Sequence, residues 1–281
     1  MPRRYLPIRP RDGHADNVSL DFTASNILHW ISGLDSLTET EILQVFGTPR
    51  RNKVLDEEGQ PRSEPTAPEY LVYPIRWADI DPQHIANQAC LIDFGESFKV
   101  SHPPEELGTP GPYRSPELIL DNSAGIASDL WALGCTLFEI RTGRKLISPF
   151  GDEDGDYLES VVLLLGRLPE PWWSTTWKGR KRLFKDEEDD SGRAVPTAEP
   201  PSTDARRTVH PSVADGARSL QDMLAPGLWY MSDERRGGDH HRDIQPQERE
   251  LFADLLAKLL DLRPGSRLGA GAALEHAWFK I

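Results

Sequence analysis

Cysteine is scarce in this chain, long apolar runs are missing, and positive charge falls short of negative. Only two cysteines occur, Cys90 and Cys135, far apart and among apolar neighbours. With no Cys-x-x-Cys pair there is no disulfide framework, and a reducing intracellular compartment is expected. The longest strongly apolar run, Val161–Leu165, is far too short to span a bilayer, so no membrane partner is expected. The start, MPRRYLPIRPRDG, is basic but has no apolar core and is not a secretory signal. Lys and Arg number 32 against 45 Asp and Glu, a formal net charge of −13. That balance lacks the clustered cations of a nucleic-acid binder, so no nucleic-acid partner is expected. It favours solubility and suits a basic partner. His240 and His241 stand side by side in GDHHRD. Adjacent side chains seldom converge on one ion and no Cys pair accompanies them, which argues against zinc.

What remains is 281 residues, 38% of them hydrophobic, enough for one large domain or two small ones. Residues 1–17 are rich in Arg and Pro and read as an unstructured arm. In LTETEILQVFG, Thr38 and Glu41 have capping-box spacing, Ile42, Leu43, Val45 and Phe46 give an apolar face, and Gly47 is a stop. A short helix is expected there. Residues 48–70 are charged and Pro-rich, hence a loop. EYLVYPI and ACLIDF read as strands. Residues 99–116 hold five prolines and two glycines and should be extended and irregular. IASDLWALGCTLFEIRTG has the best helical pattern and ends at Gly143. Helices are also expected over YLESVVLLLGRLP, residues 212–224, PQERELFADLLAKLLDL and AGAALEHAWF. Residues 174–211 mix charges of both signs with prolines and read as a solvated loop that cannot build a core. Trp172, Trp173 and Trp177 cluster after a Pro-rich turn, and burial is the simpler explanation for them.

One triplet raises a question of chemistry. An apolar strand ends in Asp93-Phe94-Gly95. A strand closing in Asp-x-Gly is ordinary turn chemistry, and the triplet alone decides nothing. Phosphoryl transfer to a hydroxyl needs a carboxylate to orient the acceptor and oxygen ligands to hold magnesium on the phosphates. Asp21 is followed five residues later by Asn26, the spacing of a kinase catalytic loop. Ser115-Pro116-Glu117 lies 24 residues beyond Asp93, where Ala-Pro-Glu should stand. SDLWALGC at 128–135 and LDLRPGSRLGAGAALEHAWF at 260–279 follow in order.

Together these motifs resemble the eukaryotic protein kinases over residues 18–281, with Arg267 in the place of the Arg that pairs with the Glu of Ala-Pro-Glu. The resemblance implies a mainly α (α+β) fold: the large C-terminal kinase lobe with a few short strands and a truncated N-terminal lobe. It implies inserts at about 30–85 and 174–246. The long stretch between Asn26 and Asp93 is similar to the insert of SR-protein kinases. PYRSPEL and GDYLESVVLLLGRLPEPWW resemble the wider group that holds the SR-protein, dual-specificity and MAP kinases. By that resemblance Asp21 is the catalytic base, and Asn26 and Asp93 bind the cofactor, ATP with Mg2+, as metal ligands. Tyr113, Arg114 and Ser115 form the substrate loop, and Glu117, Asp129 and Arg267 are structural. The implied function is a serine/threonine kinase acting on protein hydroxyls, with an Arg/Ser-rich protein substrate suited to the acidic chain.

The sequence also departs from the pattern. Ser19-Leu20 stand where His-Arg should precede Asp21, and His14 is at the wrong distance to compensate. Leu20 cannot bind an activation-segment phosphate, so Ala at Ser97, Ser101 and Thr109 is expected to leave activity unchanged. The 20 residues ahead of Asp21 contain no Gly-x-Gly-x-x-Gly and no lysine. Gly269-x-Gly271 lacks the third glycine. ATP binding by this chain is therefore expected to be impaired, and the alternative function is a catalytically inactive kinase-lobe binding module.

Overall fold

The computed structural model describes residues 17–18, 22–57, 59–60, 66–75, 80–104, 108–148, 154–190, 192–197, 219–230 and 240–281. In chain order its elements are β1 (Asn17–Val18), β2 (Ile27–Ile31), α1 (Glu39–Phe46), β3 (Arg51–Lys53), β4 (Tyr70–Val72), β5 (Ile85–Leu91) and β6 (Phe98–Lys99). Then come α2 (Pro116–Asp121), α3 (Ile126–Thr142), α4 (Asp154–Leu165), α5 (Arg180–Leu183), β7 (Phe184–Glu188), β8 (Ala194–Pro196), α6 (Leu220–Leu224), β9 (Leu228–Tyr230), β10 (His240–Arg242), α7 (Pro246–Leu259) and α8 (Ala270–Leu274). Among the described residues every strand has one antiparallel partner: β1 with β6, β2 with β5, β3 with β4, β7 with β8 and β9 with β10. The chain divides into two compact units, residues 27–92 and all the rest.

The larger unit is built on α3. Leu130, Trp131, Cys135 and Phe138 recur at helical spacing and are buried. Gly143 ends the helix in the left-handed region, at φ 71°, and its N–H returns to Glu139 O at 2.7 Å. Gly134 sits in mid-helix despite its low propensity. A Cβ there would lie 3.0 Å from the Leu260 side chain, so the missing side chain is what lets Leu260 pack. On α7, Phe252, Leu255, Leu256 and Leu259 are fully buried at the same spacing. Arg141 at the end of α3 grips Glu248 at the start of α7 with two bonds, 2.6 and 2.8 Å. Trp278 stacks on Phe252, with ring centroids 4.4 Å apart.

The stretch from 174 differs from its solvated reading. Trp172, Trp173 and Trp177 are buried, and so is Phe184 at the start of β7. Trp173, Trp177 and Phe184 pack with centroids 5.8 to 6.3 Å apart. Arg180 lies over Trp173 and bonds Asp186. One aromatic residue, Phe184, thus anchors a highly charged hairpin that composition alone marks as coil. The expected helix over 212–224 is described only as α6; residues 212–218 lie outside the described residues. So do residues 1–16 of the arm, while Asn17 pairs with Lys99.

In the smaller unit, α1 begins as its chemistry dictates. Glu41 N–H donates to Thr38 Oγ1 at 3.4 Å and Thr38 N–H donates to Glu41 Oε2 at 2.7 Å, a complete capping box. β3 lies within the segment read as a loop. Its charged residues form a strand because β4 supplies the partner, in the register Arg51↔Val72, Asn52↔Leu71, Lys53↔Tyr70. β5 extends upstream of ACL to Ile85 because β2 pairs along it. Of the described residues of this unit only Ile80 is buried.

Candidate active site

Two residues other than glycine have positive φ among the described residues, Asp93 at 62° and Asn122 at 49°. Asn122 caps the end of α2, a routine place for that conformation. Asp93 ends no helix. It stands two residues past the end of β5, and the turn after it closes with Ser97 N–H on Phe94 O at 3.0 Å. A left-handed residue with a side chain costs about 1–3 kcal/mol, and such strain collects at functional sites. A Cβ at Gly95 would make an ordinary contact with Asp93 Oδ1, 3.4 Å away. The Asp93 side chain is exposed.

Asn26 closes a 3-10 turn, Ala24–Asn26, with its N–H on Thr23 O at 3.1 Å. The Thr23 and Ser25 hydroxyls meet at 2.9 Å. Thr136, buried in α3, donates its hydroxyl to Phe22 O at 2.8 Å and so fixes this turn to the central helix. Ile27 pairs with Leu91. The chain therefore leaves the turn at Asn26 along β2 and returns along β5, which ends at Leu91, two residues before Asp93. The register of one strand pair brings the two proposed metal ligands, far apart in sequence, back to one end of a hairpin. Asp21, with Ser19 and Leu20, lies outside the described residues. Asp129 is half-buried in the first turn of α3.

The expected substrate loop separates into supports and one exposed member. Tyr113 is buried; its hydroxyl donates to the Glu139 carboxylate, and Lys145 Nζ sits 3.3 Å from that hydroxyl. Burial, and then the hydrogen bond and charge of Glu139, hold the Tyr113 phenol well above its ordinary value. Ser115 is fully buried and donates to Ser128 Oγ at 3.1 Å, which donates to Glu117 Oε1 at 3.2 Å. Arg114 alone reaches solvent. Its Nε donates to Thr109 O at 2.9 Å and Nη1 meets Asp154 at 3.0 Å. Thr109 is 2% exposed and its hydroxyl has no partner among the described residues.

Glu117 and Arg267 form a two-pronged ion pair, Nη1 to Oε1 at 2.5 Å and Nη2 to Oε2 at 2.8 Å. The Arg267 side chain is 0% exposed and that of Glu117 7%. Arg267 also donates to Ala127 O at 2.8 Å and Asp261 O at 2.9 Å, and stacks over Trp131. The desolvated charges are thus fully engaged. Sequence reasoning missed Thr136, Ser128 and Glu139. The signal was available: polar side chains at 128, 136 and 139 stand among the apolar residues of α3, and buried polar groups need partners.

The donor set fits magnesium. An exposed carboxylate at Asp93 and the Asn26 amide are hard oxygen donors, too few for an all-protein cage, as suits an ion that keeps waters and bridges phosphates. Among the described residues no group of three His, Cys, Asp or Glu is placed to hold a metal ion. When bound, magnesium neutralises phosphate charge and orients the transferred group.

Comparison with known proteins places the chain in a family. The chain is 30% identical over 193 residues to the serine/threonine-protein kinase AFC3 of Arabidopsis thaliana, covering 68% of this chain and 40% of that protein. It is 31% identical over 172 residues to the dual specificity tyrosine-phosphorylation-regulated kinase mbk-2 of Caenorhabditis elegans, covering 60% of this chain and 18% of that protein. The chain thus spans less than half the length of these curated relatives. The family profile of the protein kinase domain matches residues 78–279, a range that holds Asp93, Glu117, Asp129 and Arg267 and begins after Asn26. By that match the chain belongs to the protein kinase family.

Proposed function

We propose that this chain carries the catalytic lobe of an SR-protein-kinase-like serine/threonine kinase, moving the γ-phosphoryl group of ATP to a protein hydroxyl. The observation that carries the proposal is Asp93, an exposed carboxylate held in a left-handed backbone at a strand exit. In this reading Asp21 orients the acceptor hydroxyl and takes its proton, while Asn26 and Asp93 hold magnesium. Arg114 faces the substrate, with Tyr113 and Ser115 as supports. An Arg/Ser-rich protein suits the net charge of −13. Residues 18–281 act as one kinase-like domain with inserts at about 30–85 and 174–246. Among the described residues no helix is long and apolar enough to cross a membrane, and we place the protein inside the cell.

A second reading, a kinase lobe that binds partners without transfer, rests on one observation. These 281 residues carry no Gly-rich phosphate loop ahead of Asp21, so the chain alone should bind Mg-ATP weakly. Transfer from labelled ATP to an Arg/Ser-repeat peptide, with wild type beside Asp93→Asn, separates the two. The enzyme reading expects transfer that falls at least about 100-fold in the variant through loss of a metal ligand. Equal transfer by both proteins defeats the assignment of Asp93. No transfer, together with no Mg-ATP binding in calorimetry, establishes the binding module.

A further inference from the structure

β3 and β4 form a two-stranded ribbon. Among the described residues neither strand has a second neighbour, and an isolated two-stranded ribbon is marginal in water. Both of its faces are exposed. Tyr70 and Val72 share one face with Arg51 and Lys53; Leu71 and Tyr73 share the other with Arg50 and Asn52. Leu71 is 61% exposed, Val72 55% and Tyr73 48%. The side chains are nonetheless ordered against one another. Arg51 lies 4.4 Å over the Tyr70 ring, Arg50 5.3 Å over Tyr73, and Asn52 donates to the Tyr73 hydroxyl at 2.5 Å.

The pairing pattern decides which backbone groups face outward. Tyr73 N–H bonds Arg50 O and Val54 N–H bonds Glu69 O. Bonded pairs alternate along an antiparallel ladder, so 50, 52 and 54 point into the ribbon. Arg51 and Lys53 therefore turn their N–H and C=O toward the open edge of β3. Along β3 the side chains at 50, 51 and 53 are Arg, Arg and Lys; Asp56 and Glu57 follow only beyond the strand's end, and Glu69 lies across the ribbon opposite Val54. A second copy pairing β3 with β3 would set these cations beside one another, which is how edges avoid self-association. An acidic strand meets the opposite situation.

We propose that the open edge of β3 is a docking site for an extended acidic peptide segment of a partner protein, added as a third strand with carboxylates beside Arg51 and Lys53. The backbone supplies ladder bonds and the cations select the partner's charge. The test uses the whole 281-residue protein and fluorescence anisotropy of labelled octapeptides. A peptide alternating Glu and Val should bind, and one alternating Lys and Val should not. Arg51→Glu with Lys53→Glu should weaken binding about tenfold or more, with an unchanged circular dichroism spectrum because both side chains are exposed. N-methylating one alternate set of peptide amides should abolish binding while methylating the other set should not, a difference that mere charge attraction cannot produce. The proposal is overturned if the Glu/Val peptide fails to bind, or if binding survives the charge reversal. Equal effects of the two methylation patterns also overturn it, as does binding of an eight-nucleotide oligouridylate in place of the peptide.

Discussion

Replacing Arg267 by alanine removes the guanidinium and leaves the Glu117 carboxylate inside the protein, with Ser128 as its remaining side-chain donor. Both side chains of the pair are nearly inaccessible, at 0% and 7% exposure, so water cannot take over the solvation. Breaking such a pair from one side costs about 3–5 kcal/mol. Arg267 also loses its bonds to Ala127 O and Asp261 O and its place over Trp131. Against a total stability of about 5–15 kcal/mol, the single substitution removes a large fraction. The melting temperature should fall by roughly 6–20 °C. Urea unfolding followed by tryptophan fluorescence measures this directly, since Trp131 lies under the guanidinium. Two companions sharpen the test. Arg267→Lys keeps the charge but loses the fork and should fall between wild type and alanine. The double substitution Glu117→Leu with Arg267→Met removes both charges and should recover most of the loss. If Arg267→Ala costs less than about 1 kcal/mol, the range of exposed pairs, then the pair is solvated and the reasoning fails.

Thiol chemistry should divide the two cysteines. Burial pushes the Cys135 thiol up to about 12, so its thiolate fraction near pH 8 is about one in ten thousand. Intact mass after iodoacetamide should show one label, on the half-buried Cys90, in the native protein and two after denaturation. Two labels on the folded chain would contradict the packing of α3. The pH dependence of stability follows from Glu248, whose hydrogen bonds with Arg141 hold its carboxyl below the ordinary range. A lowered folded value adds stability that is complete above the unfolded carboxylate value, about 4.3, and is lost as pH falls through the folded one. Wild type should therefore lose more stability than Arg141→Ala between pH 5 and pH 3, measured by urea midpoints. Parallel curves would remove the link.

Much of this protein was legible in its residues because the physics there is local. Thr38, Glu41 and Gly47 write the start and end of α1, and the helical spacing of Leu130 to Phe138 with Gly143 writes α3. Ordered motifs pointed to a kinase lobe without any tertiary knowledge. The remainder depended on partners distant in the chain. β3 is charged, and IANQA at the start of β5 has weak strand character; each is a strand only because another strand lies beside it. The charged hairpin after 184 holds because a single phenylalanine reaches the tryptophan cluster. Ser115 reads as part of a substrate loop, yet tertiary packing turns it inward to Ser128. The left-handed backbone of Asp93, the return of β5 beside β2, and the grip of Thr136 on Phe22 are invisible to periodicity. Sequence thus determined where capping, helical spacing and motif order act within a few residues; tertiary structure decided pairing and burial, which bring together atoms that the chain itself keeps far apart.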